Sequence, residues 1–201
     1  MGRAVTHDRG RLVSDARDLF WRKGFDAVSV ADVEAATGVG RSSIYHAFGN
    51  MRGLFDAAVT DYLDTIVRPR LRPMTVEKVD GDAVIDYLRG LGDAIAVIDR
   101  DGAAPAGCLL LTTAAGNIGG DDAVAQVVAA YHRELSTAIA RGVQAHLPDA
   151  DATTWDRLTR VTVAASIAAL SLARVDADAA CATIDAAIAT LSAAPTEVRR
   201  R

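Results

Sequence analysis

The feature that most constrains this fold is a series of helix start and stop signals in the first part of the chain. Apolar residues repeat at helical spacing between the signals, and glycines or N-cap side chains mark helix ends. The signals lie at Gly24, Ser29, Gly38, Gly40, Gly49 and Asn50. They predict a long helix over 8–23, two short helices flanking Gly38, and a fourth helix that stops before Pro69. Two short helices joined by a tight glycine turn and packed on a longer one form a helix-turn-helix.

The second of the two short helices has an apolar side and a polar side. Its apolar residues, at helical spacing, are Ile44, Ala47 and Phe48. Its polar groups on the opposite side are Ser42, Tyr45 and His46. Arg41 stands at the N-terminal end, where the helix dipole and unpaired amides favour anionic partners. We predict that this side contacts DNA, with Arg41 reading a base because its guanidinium matches the edge of guanine.

The charge of the chain is unevenly distributed. Residues 1–54 carry eight Lys or Arg against six Asp or Glu, whereas residues 55–201 carry fourteen against twenty. A polyanion is therefore attracted to the first part and repelled by the second, although the net charge of the whole chain is −4. The asymmetry favours a DNA contact near the N-terminus.

The segment SVADVEAATGVGRSSIYHAFGNMRGLF (29–55) resembles the DNA-binding segment of TetR/AcrR-type transcriptional repressors. The resemblance covers about residues 8–60 and includes the LFWRKGFDAVSV segment (19–30) that ends the first helix. A second stretch, GCLLLTTAAG (107–116), is similar to a glycine-cysteine-leucine stretch in the ligand domains of many members. The resemblance implies an all-helical fold, a dimer, and release from DNA under the control of a ligand.

The residues predicted to contact DNA are Ser29, Arg41, Ser42, Ser43, Tyr45, His46 and Arg52. Two positions depart from the family pattern. The family usually has a phosphate-binding lysine after the helix-four cap, where this chain has Met51, so the phosphate contact is assigned to Arg52. The position four residues before the turn glycine is usually small or apolar, and here it is Glu34. We expect that side chain to lean outward, or the two short helices to pack differently.

The RPRLRPM stretch (68–74) is the clearest domain boundary, because it holds two prolines and three arginines. We predict an all-α fold. Residues 1–67 form a three-helix DNA-binding domain with its connecting fourth helix, 68–194 form a larger ligand-binding and dimerisation domain, and 195–201 form a tail. The predicted helices of the larger domain are 82–99, 107–116, 121–146, 152–175 and 177–192.

Residues 158–175 are predicted to form a helix that is apolar on almost all sides. A helix on the surface of a monomer has a polar face, so this helix is expected to be covered. Either a second subunit covers it or it is the central core helix of a monomer. The resemblance favours a homodimer, since the family pairs its last two long helices with those of a partner. The predicted interface residues are Ala164, Ala165, Ala168, Ala169 and Leu172.

The helices over 82–99 and 107–117 carry apolar faces interrupted by polar groups. This mixture fits a pocket for an apolar or weakly polar effector, and it fits ordinary core with satisfied hydroxyls equally well. The residues predicted to line the pocket are Tyr87, Leu88, Leu91, Ile95, Leu110, Thr113, Asn117 and Tyr131.

Other function classes find no support in the sequence. No nucleophile elbow, phosphate-binding loop or metal-ligand spacing occurs, so we predict no enzyme, no cofactor and no metal site. The lone Cys108 and Cys181 favour a reducing cytoplasm, and the longest charge-free apolar run, 161–173, is too short to span a membrane. The predicted function is a repressor released from a palindromic double-stranded operator by a small molecule. The alternative is a small-molecule sensor whose helix-turn-helix does not bind DNA.

Overall fold

A computed structural model describes residues 2–97 and 105–194, with side chains from residue 9 onward. The predicted tail, 195–201, lies outside the described residues. The described part of the chain contains helices and turns and no strand, which confirms the predicted all-α class. The helices are α1 Gly2–Lys23, α2 Val30–Thr37, α3 Arg41–Phe48, α4 Met51–Tyr62, α5 Arg68–Leu71, α6 Ala83–Ala96, α7 Leu109–Ala115, α8 Asp122–His146, α9 Ala152–Leu172 and α10 Ala177–Ser192.

Packing divides the chain into two compact units. The first holds the described residues up to Pro69 together with 105–125, and the second holds 70–97 and 126–194. This division differs from the predicted domains, because α7 and the turn that follows it pack with the N-terminal helices. The residues of α7 touch both α1 and α4.

The core of the first unit forms between α1 and α4, which pack along their apolar faces. The rings of Phe20 and Phe55 meet edge to face, with centroids 5.3 Å apart, and Phe25 lies 4.9 Å from Phe55. Each fully buried phenylalanine side chain contributes about 1.5–3 kcal/mol. The rings of Trp21 and Tyr62 pack together with their centroids 4.8 Å apart, and the indole N–H of Trp21 donates to the carbonyl of Ala106 at 3.1 Å. These contacts hold α1, α4 and the segment before α7 together.

The helical path after α4 does not stop before Pro69, as the sequence predicts. It widens into a π-helical turn over Leu63–Val67 and continues as α5 through Leu71. Proline has no N–H to donate to the carbonyl four residues earlier, and a wider turn shifts the hydrogen-bond pattern around that missing donor. The prediction of a stop was therefore wrong.

The second unit is built on α6, α9 and α10, with α10 packed against both of the others. Leu88 and Leu91 of α6 and Ile184 of α10 are among the buried residues of these helices. Gly142 allows Met74 to lie close to the backbone of α8, since a Cβ at residue 142 would be only 2.8 Å from the Sδ atom of Met74. Within residues 2–97 and 105–194, no helix has the length and apolar character needed to cross a membrane.

Candidate nucleic-acid interface

A reciprocal cap fixes the start of α2. The hydroxyl of Ser29 accepts from the amide of Asp32 at 3.2 Å, and the carboxylate of Asp32 accepts from the amide of Ser29 at 2.9 Å. Lys23 at the end of α1 places its ammonium 2.8 Å from the same carboxylate. The hydrogen bond from Lys23 is the largest cause, and those from Ser29 the next, that hold the pKa of Asp32 well below its usual range. Ser29 is exposed, but its hydroxyl also donates to Asp32, so the predicted DNA contact already serves as a cap.

The turn between α2 and α3 depends on Gly38. This residue has a φ of 69°, and its amide donates to the carbonyl of Glu34 at 2.9 Å, which closes α2. A side chain at this φ would be strained, so glycine is required. Val33, fully buried, anchors α2.

Ile44 anchors α3 in the core of the first unit. Its side chain is fully buried, and α3 packs on α2 and α4. Phe48 at the end of the helix is half-buried, with the guanidinium carbon of Arg9 4.9 Å from its ring centroid. Arg9 also places Nη2 3.5 Å from the carbonyl of Ala47. Ala47 itself is exposed, so its predicted place on the apolar side was wrong, because only the turn around Ile44 faces the core.

The opposite side of α3 presents a compact set of hydrogen-bond donors. Tyr45 is half-buried, and the guanidinium carbon of Arg41 lies 5.1 Å from its ring centroid. The guanidinium of Arg41 carries several N–H donors, which match the acceptors of a phosphate or a base edge. The exposed members of this side are Arg41, Ser42, Ser43 and His46. The structure thus places five of the predicted DNA residues on one helix, four of them exposed.

Arg52, the predicted phosphate contact, is held by two carboxylates. Its Nε donates to Asp56 at 2.8 Å and its Nη2 to Asp121 at 3.1 Å. The hydrogen bond to Asp121 has the largest effect, and that to Asp56 the next, in raising the pKa of Arg52 above its ordinary value. Arg52 in turn lowers the pKa of Asp121. The same Asp121 oxygen caps α8 by accepting from the amides of Ala123 and Val124. A phosphate that binds Arg52 therefore competes with internal partners.

The partners of Arg52 differ in how visible they are in the sequence. Asp56 lies four residues on, the spacing of a helical ion pair, so the sequence contains a signal for it. Asp121 is 69 positions away, and no local pattern links it to Arg52. The carboxylate of Asp26, which accepts from the amide of Asn117 at 2.8 Å, was missed for the same reason.

The residues predicted to line a ligand pocket do not all fall in one unit. In the second unit Tyr87 is half-buried, and the buried members are Leu88, Leu91, Ile95 and Tyr131. In the first unit Leu110 and Thr113 are buried and Asn117 is exposed. The hydroxyl of Thr113 donates to the carbonyl of Leu109 at 2.8 Å, so its hydrogen bond is satisfied within its own helix.

The residues predicted for a dimer interface divide between the surface and the interior of α9. Ala164 and Ala168 are exposed, Leu172 is 36% exposed, and Ala165 is half-buried. Ala169 is fully buried within the second unit and is not on the exposed stripe. Val161, 41% exposed, continues the stripe at helical spacing and was not predicted.

Metal ligands are not clustered in the described part of the chain. No group of three or more His, Cys, Asp or Glu side chains there could hold a metal ion. Cys108 is a buried free thiol, and the half-buried Cys181 lies 3.8 Å from the carbonyl oxygen of Gly92.

A family model for bacterial regulatory proteins of the tetR family matches residues 12–58. The HTH-type transcriptional repressor ComR of Escherichia coli (strain K12) is 32% identical over 111 residues, 55% of this chain and 51% of the relative. The HTH-type transcriptional repressor BdcR of the same organism is 34% identical over 101 residues, 50% of this chain and 49% of the relative. The chain spans about half the length of these curated relatives.

Solved structures show the same fold over nearly the whole chain. A TetR transcriptional regulator from Chloroflexus aurantiacus J-10-FL has a TM-score of 0.72 and 28% identity, with 94% of each chain covered. The TetR family transcriptional regulator CifR, complexed with 26-bp double-strand operator DNA, has a TM-score of 0.74 and 23% identity, covering 92% of this chain and 95% of that one.

Proposed function

We propose that this chain, which belongs to the tetR family of bacterial regulatory proteins, is a homodimeric regulator of transcription that binds a palindromic DNA operator. It acts in the cytoplasm as a repressor, and a small apolar or weakly polar effector releases it from DNA. It performs no enzymatic reaction. The observation that carries the proposal is the exposed polar side of α3, held in place by the buried Ile44.

The chemistry of α3 supports the binding of double-stranded DNA. Arg41 matches the acceptor pair of a guanine edge in the major groove, and the hydroxyls of Ser42 and Tyr45 donate to phosphates. A helix of this length, preceded by a tight turn and a second short helix, is the element that helix-turn-helix proteins insert into the groove. The excess of basic residues in 1–54 adds an electrostatic attraction.

The exposed stripe of α9 supports a homodimer. Val161, Ala164, Ala168 and Leu172 lie along one side of the helix and are exposed in the single chain. A second copy of the chain buries them and brings a second α3 to the DNA. Two such helices read half-sites about 34 Å apart, one turn of the duplex, and their combined affinity exceeds that of one.

The packing of α7 supports control by an effector. This helix touches α1 and α4 within the first unit, and the ion pair between Arg52 and Asp121 joins α4 to the start of α8. A ligand that binds better when α7 is displaced moves α4 and, with it, the packing of α3. A ligand with equal affinity for both arrangements would shift nothing.

One observation favours the second candidate, a small-molecule sensor without DNA binding. The position where a phosphate-binding lysine is expected holds Met51, and Arg52 beside it is paired with two carboxylates. Both features reduce the positive charge that a phosphate meets at the start of α4.

The deciding experiment is a fluorescence-anisotropy titration with DNA from upstream of the chain's own gene and with a shuffled duplex of equal length. We expect a dissociation constant of about 10⁻⁸ M or lower for the upstream DNA at physiological salt, at least about a thousandfold below that of the shuffled duplex. Equal, weak binding to both duplexes would support the sensor. A compound that raises the melting temperature and weakens upstream-DNA binding would support release by an effector.

A further inference from the structure

The DNA-facing helix α3 begins without a cap of its own. The first amides of a helix have no partner within the helix, and a Ser, Thr, Asp or Asn side chain at the N-cap usually accepts from one of them. Here the N-cap residue is Gly40, which has the extended backbone of a cap (φ −68°, ψ 149°) but no side chain to accept a hydrogen bond.

The missing acceptor is supplied by the preceding helix. Glu34 of α2 places its carboxylate oxygen Oε1 2.6 Å from the backbone nitrogen of Arg41, seven positions later in the chain. Arg41 is the first residue of α3, so the hydrogen bond satisfies one of the amides that the glycine leaves open. A short hydrogen bond to a carboxylate is stronger than one between neutral groups, and the negative charge also complements the positive end of the helix dipole.

The carboxylate of Glu34 lies beside the position that a side chain at residue 40 would take. A Cβ built on Gly40 would have Glu34 Oε1 as its nearest neighbour, at 3.9 Å. That distance is an ordinary van der Waals contact, so a side chain at residue 40 and the carboxylate of Glu34 can be present together. Gly40 offers no side-chain acceptor to the first amides of α3, and Glu34 supplies an acceptor to one of them.

We propose that Glu34 is a positioning residue for DNA reading, because it caps α3 in place of Gly40 and so sets the direction in which Arg41 presents its guanidinium. The proposal rests on the DNA-binding function proposed above. The carboxylate has a second effect, because it places a negative charge at the end of α3 that would otherwise attract any phosphate. Glu34 thus strengthens the discrimination between operator and other DNA in two ways.

The two effects predict a characteristic result for Glu34→Ala. Loss of the cap loosens the start of α3 and weakens operator binding, whereas loss of the charge strengthens binding to shuffled DNA. An N-cap replacement by alanine costs the equivalent of a roughly twofold to thirtyfold change in an equilibrium constant, so we expect the ratio of the two affinities to fall by about tenfold. Protection of the Arg41 amide from hydrogen exchange, measured without DNA, falls by a similar factor.

Restoring the cap at its usual position separates positioning from general stability. A serine fits at residue 40, since its Cβ meets only an ordinary contact there. In the Glu34→Ala, Gly40→Ser double variant the serine hydroxyl accepts from the amide of Ser42 or Ser43, so we expect operator affinity to return to near the wild-type value. Protection of the Arg41 amide stays lowered, and binding to shuffled DNA stays raised. Glu34→Gln retains an acceptor for the Arg41 amide without the charge, so we expect operator affinity and Arg41 protection near the wild-type values and raised binding to shuffled DNA.

Asp64→Asn is the matched control for charge. It removes one negative charge from the π-helical turn that follows α4, about 20 Å along the helical path from Met51, which exceeds the screening length of physiological salt. We expect this variant to leave the affinity ratio unchanged. A parallel loss in Asp64→Asn would overturn the role of Glu34, because any lost charge would then suffice.

Two further results would overturn the proposal. One is an affinity ratio unchanged in both Glu34→Ala and Glu34→Gln, together with unchanged Arg41 protection in Glu34→Ala, with the fold intact by circular dichroism. The other is a failure of Gly40→Ser to restore operator affinity in the alanine background. If the wild-type protein binds neither duplex, the proposed function fails, whereas the amide-exchange series still measures whether Glu34 caps α3.

Discussion

The helices α3 and α10 are held in place in different ways. The 16 residues of α10 begin with a cap of their own, since Asp176 accepts from the amide of Ala179 at 2.9 Å, and they bury Ile184 and Leu191, among others. The 8 residues of α3 bury only Ile44, and the N-cap residue before them is a glycine, which has no side chain to accept a hydrogen bond. A helix shorter than about 12 residues is marginal by itself, so α3 depends on its neighbours for both existence and direction.

This difference matches the work that each region is proposed to do. In the proposed homodimer, the long helices α9 and α10 supply the surface on which the second copy assembles. The short α3 is positioned by Glu34 from α2, by Arg9 from α1 and by the packing of Ile44. A small displacement of those neighbours is enough to redirect its side chains, which a self-sufficient helix would resist.

The largest effect is expected from a charge on the long-helix surface. Ala168→Glu places a carboxylate in the centre of the exposed stripe of α9, and an unpaired charge buried at an interface costs roughly 3–5 kcal/mol. We expect a folded monomer that no longer binds the operator, measured by analytical ultracentrifugation and anisotropy. Ala168→Ser, small and uncharged, should remain a dimer. A dimeric Ala168→Glu protein would remove this stripe as the interface.

The second effect concerns base reading by α3. Arg41→Ala should weaken operator binding by about 1–3 kcal/mol and relax the preference at one operator position. Tyr45→Phe removes only a hydroxyl and should weaken all sequences alike. Anisotropy with single-base operator variants distinguishes the two patterns. Wild-type affinity in both variants would mean that this side of α3 does not read the DNA.

A smaller effect is expected from releasing Arg52. Asp121→Asn removes one of its two carboxylate partners, while the asparagine oxygen still caps α8. Arg52 then becomes available to a phosphate, so binding to all duplexes should strengthen and the slope of log affinity against log salt should steepen by about 0.9. The unchanged preference among operator variants is the internal control. An unaltered salt slope would exclude Arg52 as a phosphate contact.

The smallest effect is expected on the stability of the fold at low pH, through the Asp32 carboxylate that caps α2. Because Lys23 and Ser29 lower the pKa of Asp32 in the folded state, the ionised carboxylate stabilises the fold above the unfolded-state pKa of about 3.9, and this contribution is lost as the pH falls below it. The melting temperature of Asp32→Asn should therefore fall less between pH 5 and pH 2 than that of the wild type. The difference should correspond roughly to the protonation of one carboxylate. Identical acid profiles would show that the pair of Lys23 and Asp32 does not contribute to stability.

Local signals in the sequence predicted much of the fold. The limits of α10, the cap at Ser29 and the turn at Gly38 all depend on residues within about four positions of one another, which is the range of a helical hydrogen bond. The all-α class and the buried place of Ile44 follow from the same short-range periodicity. The predicted stop before Pro69 failed because a π-helical turn offers a local alternative that periodicity does not reveal.

Only the tertiary structure decided which distant groups meet. The amino-acid sequence by itself determined that α3 would be short and polar on one side, whereas packing decided that Glu34 caps it and that Asp121 holds Arg52. Packing also joined α7 to the N-terminal helices across many intervening residues. A hydrogen bond between groups 7 or 69 positions apart depends on how helices come together, and the spacing of residues along the chain does not encode that arrangement locally.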